Sequence, residues 1–98
     1  MGEARDHLFY YCYVLFSERD HKLYIGYSAN LQRRIKEHLG GEVTSTRNRR
    51  PLQLIYYEAF LSKEDAQRRE QYLKTTAGKK GLKLILRKTL KELDYKTS

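Results

Sequence analysis

The stretch from Tyr24 to His38, YIGYSANLQRRIKEH, limits the possible folds more than any other. It reads as a strand that stops at Gly26, turns through Ser28 and Asn30, and continues as a helix. Asn30 is the expected N-cap, because its side-chain oxygen can accept a backbone N–H left open in the first helical turn. Leu31, Ile35 and Leu39 recur every four residues and predict one apolar stripe. Arg34 and His38, also four apart, predict a second stripe beside it. A strand-end tyrosine thus precedes a helix with an arginine and a histidine on one side, an arrangement suited to a phosphate.

The segments around this unit read in order. Residues 1–7 are polar and are expected to fray. Leu8 to Phe16, LFYYCYVLF, is short, aromatic and β-branched, which predicts a strand buried on both faces. Tyr11, Tyr13 and Leu15 would share one face, and Tyr10, Cys12, Val14 and Phe16 the other. SERDH has hairpin length and leads to a second strand over 22–27. The first helix is expected to end at Gly40-Gly41. Residues 42–51 form a polar loop with three arginines, and Leu52 to Phe60 reads as the third strand.

Ser62 is the expected cap of a second helix, with Asp65 completing a capping-box pattern. Ala66, Glu70 and Leu73 fall on one stripe of it. TTAG reads as a break with Gly78 as the stop, and Lys79 to Leu93 as one last amphipathic helix. Leu82, Leu86, Leu90 and Leu93 make its apolar side, and Lys83, Arg87, Lys88 and Lys91 its wet side. The expected order is β-β-α-β-α-α. This is an α+β fold, a three-stranded antiparallel sheet flanked by helices. The domain would span 8–94, with 95–98 as a tail.

Ninety-eight residues bury only a modest core, so a shallow surface site is favoured over a deep pocket. The net charge of +8 favours polyanions, nucleic acid first among them. Cys12 is the single cysteine, which rules out an internal disulfide or a cysteine zinc cluster and points to a reducing, cytoplasmic setting. The first residues lack the apolar run of a signal peptide, and no stretch is long enough to span a bilayer.

Tyr11-Cys12-Tyr13 and Tyr24-Ile25-Gly26, joined by a hairpin, resemble the paired signature of the GIY-YIG nuclease family. The likeness is greatest to its small standalone bacterial members, relatives of the catalytic domain of an excision-repair nuclease. The family tyrosines fall on Tyr13 and Tyr24, the arginine on Arg34 in NLQRR, the histidine on His38 and the acidic metal ligand on Glu70 in RREQYL. The resemblance covers roughly residues 8–80. The first triplet lacks the glycine and isoleucine, and the late asparagine of several relatives has no equivalent here.

The resemblance implies a divalent-metal-dependent endonuclease, with Mg²⁺ or Mn²⁺ on Glu70. Tyr13 would be the general base on the attacking water, its phenol ionised more readily beside Arg34 and a metal. Tyr24 would hold the phosphate or its water, and Arg34 would offset charge on the phosphoryl group. His38 would contact phosphate or shuttle a proton. Arg33, Arg47, Arg49, Arg50, Lys74 and Lys79 would meet the nucleic-acid backbone, DNA in preference to RNA.

Residue chemistry alone leaves alternatives beside each role. Glu70 could pair with Lys74 four residues on, and Arg33 with Glu37, leaving Arg34 free. Tyr13 and Tyr24 could be core aromatics, and His38 a charged residue at a helix C-terminus. A non-catalytic nucleic-acid-binding module is the rival function. With no further DNA-reading segment in the chain, specificity is expected to need a homodimer or a partner protein, in a setting such as DNA repair or recombination.

Overall fold

The computed structural model describes residues 8–95. The segment 1–7 and, apart from Tyr95, the tail 95–98 lie outside the described residues. Strand β1 spans Tyr10–Ser17 and β2 spans Leu23–Ser28; helix α1, Leu31–Leu39, follows. A short 3-10 turn at Arg47–Arg49 precedes β3, Leu52–Phe60. Helices α2, Lys63–Leu73, α3, Thr76–Ile85, and α4, Arg87–Glu92, complete the chain.

The sheet is antiparallel with order β2-β1-β3, so the aromatic first strand is its centre. Seven of the eight β1 residues are buried, as a central strand covered on both faces requires. Alternation divides its side chains between two cores. Cys12 and Val14 join Ile25 and pack against Leu73, Leu82, Leu86 and Leu90 from α2, α3 and α4. Tyr13 and Leu15 face the other way with Leu52, and Tyr24, Leu31, Ile35 and Leu54 close over them. Gly26 stands opposite Tyr13 in the β1–β2 register. The β1–β3 register shifts between Val14 and Leu15, leaving Ile55 as an extra residue in β3.

The helix boundaries follow from their caps. Asn30 accepts the Arg33 backbone N–H and starts α1; Gly40 ends it, and Gly41 turns the chain at φ 81°. Ser62 accepts the Asp65 N–H at the start of α2, but the Asp65 carboxylate pairs with Arg68 at 3.0 Å rather than reaching back to the cap.

Four expectations need correcting. Gly78 does not stop a helix; Thr75 caps α3 by accepting the Gly78 N–H at 3.0 Å, and Gly78 lies buried in its first turn. A side chain there would collide with the Tyr72 carbonyl, so the glycine lets α3 close against the end of α2. The last amphipathic segment is two helices, because the backbone leaves helical geometry at Leu86 and Arg87 Nη1 donates to the Leu84 carbonyl at 2.6 Å. Both pieces still send Leu82, Leu86 and Leu90 inward. In α1, Leu39 is 49% exposed while His38 is fully buried, so the inward line runs through Ile35 and His38. Tyr95, assigned to the tail by its sequence, packs on the α3–α4 core.

Candidate active site

Tyr13, Tyr24, Gly26, Arg34, Gln67 and Glu70 line one pocket of about 450 Å³. β1, β2, α1 and α2 each supply part of it, so residues from 13 to 70 meet only because the sheet and two helices pack as they do. Gly26 makes this possible, since a Cβ there would overlap the Tyr13 hydroxyl and ring. The absence of a side chain lets the phenol lie across the β2 backbone.

Tyr13 is 1% exposed, and its hydroxyl lies 2.7 Å from Nε2 of the buried His38. His38 Nδ1 lies 2.7 Å from Oγ1 of Thr46, which is also fully buried. Burial, with the nearby Arg34 charge, pushes the His38 titration down to about 4, against the opposing pull of Glu37. The imidazole is therefore neutral at pH 7. One tautomer donates from Nδ1 to Thr46 and accepts the Tyr13 O–H at Nε2; the other reverses both bonds. The charged, helix-terminal histidine of the alternative reading is not found, and full burial removes direct phosphate contact from its possible roles.

The Tyr13 phenol moves opposite to expectation. Burial pushes it up to about 12, and the Arg34 hydrogen bond and charge only partly counter this. The protein without a metal thus keeps Tyr13 protonated, and ionising it requires an acceptor at its hydroxyl. Tyr24 is half-buried, its ring centroid 6.5 Å from that of Tyr13 and 5.2 Å from that of His38. Ser45 Oγ approaches the Tyr24 hydroxyl at 3.5 Å.

Arg34 is not left free by an Arg33–Glu37 pair. Its Nη1 donates to Glu37 Oε1 at 3.0 Å, whereas Arg33 reaches Glu37 at 3.7 Å. Glu37 thereby anchors Arg34 with its guanidinium in the pocket. Glu70 is 13% exposed, and its Oε2 receives Lys74 Nζ at 2.7 Å. The expected ion pair and the pocket-lining position therefore hold for the same carboxylate. Among the described residues no group of three or more histidines, cysteines or acids could hold a metal. A single carboxylate nevertheless fits Mg²⁺ or Mn²⁺, which keep waters and share phosphate oxygens instead of needing an all-protein cage.

The basic residues divide into two groups. Arg33, Arg47, Arg50, Lys74 and Lys79 are exposed. Arg49 is committed instead to Asp20, at 2.9 Å, and its carbonyl accepts Ser17 Oγ at 2.6 Å, so it ties the loop to the β1–β2 hairpin. Thr46 and Ser45 were not singled out in the sequence. A polar residue in a polar loop gives no sign that it folds inward to meet a histidine.

The chain matches the model of the GIY-YIG catalytic domain over residues 9–83 and belongs to that family. A UPF0213 protein of Clostridium perfringens is 42% identical over 86 residues, covering 87% of this chain and 91% of its own. A UPF0213 protein of Natronomonas pharaonis is 41% identical over 87 residues, covering 88% and 98%. The solution NMR structure of a UPF0213 protein from Bacillus halodurans superposes with a TM-score of 0.50 at 36% identity, over 79% of this chain and 84% of that one. No helix among the described residues is long and apolar enough to cross a membrane.

Proposed function

We propose that the protein is a divalent-metal-dependent endonuclease that hydrolyses phosphodiester bonds in DNA. In this reading it is directed by DNA structure, with weak sequence specificity. The supporting observation is the shared pocket of Tyr13, Tyr24, Arg34 and Glu70, with His38 hydrogen-bonded behind Tyr13. A shallow, solvent-open site among basic side chains suits a phosphate on a long polyanion.

The chain's own groups have separable tasks. Arg34, held by Glu37, pairs with a phosphoryl oxygen and offsets the charge that gathers there. The attacking water gives its proton to the Tyr13 oxygen as the Tyr13 proton passes to neutral His38 Nε2, so the phenol stays uncharged throughout. The water oxygen bonds to phosphorus, the far P–O ester bond breaks, the leaving oxygen takes a proton from solvent, and His38 returns its extra proton to solvent through Tyr13. Tyr24 orients the water or the phosphate. Thr46 fixes the His38 ring and tautomer. Glu70 is the residue that would hold Mg²⁺ or Mn²⁺, which when bound supplies Lewis-acid charge at the phosphate. Arg33, Arg47, Arg50, Lys74 and Lys79 hold the flanking backbone. The reading places the activity in the cytoplasm, in repair or recombination, with a second copy or a partner protein supplying specificity.

The Glu70–Lys74 ion pair favours a second reading, a module that binds nucleic acid without cutting it. Cleavage assays separate the two, using branched, damaged, single-stranded and duplex DNA and matching RNA, with Mg²⁺, Mn²⁺ or EDTA. The nuclease reading expects metal-dependent DNA cuts that vanish in Glu70→Ala. Salt-sensitive binding with no cleavage of any substrate would leave the module.

A further inference from the structure

Helix α3 presents a solvent face that the pocket does not use. Leu84 is 63% exposed and Ile85 54% exposed, adjacent large aliphatic residues at the end of the helix. One turn before them stands Gly81, where a Cβ would meet none of the described residues within 4 Å. A glycine inside a helix is less stable than alanine. Among the described residues no neighbour excludes the methyl group, so their packing gives no reason for leaving that strip of backbone bare. Lys80 lies one turn from Leu84 on the same side, and Arg87 is drawn alongside by its bond to the Leu84 carbonyl. Between residues 74 and 91 the chain carries lysines and arginines and no acidic residue.

We propose that this face is a second nucleic-acid contact surface, where Leu84 and Ile85 wedge against a base step that is already unstacked. Lys80, Arg87 and Lys88 hold the flanking phosphates. The inference rests on the nucleic-acid reading above and extends it from the pocket to a recognised feature, a bulge or mismatch. Apolar wedges with cationic flanks suit such steps, because unstacking exposes base faces that intact duplex hides. The chemistry disfavours other occupants. A second copy would set Lys80 and Arg87 against their own like charges. A membrane-surface helix needs a broad apolar face, but the broad face of α3, through Leu82, is buried in the core. The cations continue to Lys74 at the pocket, which α3, about 15 Å long by its ten residues, links to the wedge.

The test uses full-length protein in EDTA, so that binding is read without cleavage. The probes are a short DNA duplex and the same duplex with a central bulge flanked by 2-aminopurine. Wild type is expected to bind the bulged duplex about fivefold more tightly and to raise the 2-aminopurine fluorescence. Leu84→Ser/Ile85→Ser, at exposed positions and checked for fold by circular dichroism, should lose the preference yet bind intact duplex within about twofold. Gly81→Ala, which adds a methyl group to the approach surface, should weaken bulge binding while raising thermal stability. A preference retained in the double variant, or absent from wild type, overturns the inference. So does binding to vesicles of phosphatidylglycerol that the double variant alone abolishes. Failure of wild type to bind any DNA instead removes the nucleic-acid reading beneath it.

Discussion

The Tyr13 hydroxyl and the His38 Nε2 nitrogen lie 2.7 Å apart, between two side chains that the fold buries almost completely. Burial favours the uncharged form of each, the phenol being pushed up to about 12 and the imidazole down to about 4, so the proposed mechanism has Tyr13 pass its proton to His38 only as it takes another from the attacking water. Thr46 completes the line at 2.7 Å from the other ring nitrogen.

Removing the hydroxyl tests this pairing. Tyr13→Phe keeps the ring in the core but leaves one buried nitrogen of His38 unpartnered. Cleavage should fall by about a hundredfold or more, with a stability loss of about 1–3 kcal/mol. Thr46→Val should cost a similar amount of stability, because it strands the other nitrogen. Single-turnover rates and urea midpoints measure both effects.

The pH dependence of stability tests the neutral state of His38. Its titration in the fold is depressed to about 4, below the ordinary 6.5 that the unfolded chain restores. The unfolded state therefore binds more protons between those values, and stability must fall as pH drops from 6.5 towards 4. The loss should be on the order of 3 kcal/mol by about pH 4, and little of it should occur above about pH 7. Urea melts of wild type and His38→Gln over this range isolate the effect, since the variant should lack it.

Gly26→Ala tests whether the pocket depends on close approach of the phenol to β2. The added methyl overlaps the Tyr13 hydroxyl and ring, so Tyr13 must swing away from His38. Overpacking should cost roughly 1–3 kcal/mol, and cleavage should fall as in Tyr13→Phe. The Tyr13 hydroxyl position in a crystal structure of the variant provides the check.

Lys74 competes with any cation at Glu70, because its ammonium already sits 2.7 Å from the carboxylate. Lys74→Ala should tighten Mn²⁺ binding by about fivefold, while Glu70→Gln should weaken it. Electron paramagnetic resonance of free Mn²⁺ reads this without reference to activity.

Much of the fold was legible because its strongest signals are local. The strand-to-helix switch at Tyr24–His38, the Asn30 and Ser62 caps and the Gly40-Gly41 stop all act within a few residues. The errors lie where a distant partner decides. Gly78 looked like a terminator but is required by the Tyr72 carbonyl. Four-residue spacing put Leu39 inside, yet Tyr13 and Thr46 draw His38 inward instead. Leu86 is not a helix-breaking residue, yet the backbone leaves helical geometry there, where Arg87 bonds the Leu84 carbonyl.

The candidate site shows the same division. Tyr13, Tyr24, Arg34 and Glu70 stand in recognisable patterns, and the pocket that they share is a tertiary result. Arg49 and Arg47 look alike in the loop, but only the fold brings Asp20 to Arg49. The upward shift of Tyr13 also eluded sequence reasoning, since a nearby arginine is visible in the chain whereas the extent of burial is not.

The most direct measurement is nicking of supercoiled plasmid by purified protein with Mn²⁺, alongside Tyr13→Phe and Glu70→Gln proteins of matched circular dichroism. Nicking by wild type alone, stopped by EDTA, is the predicted result. Equal nicking by all three proteins would contradict a phosphodiesterase centre built on the pocket of Tyr13 and Glu70, and so would wild type that binds the plasmid and leaves it intact.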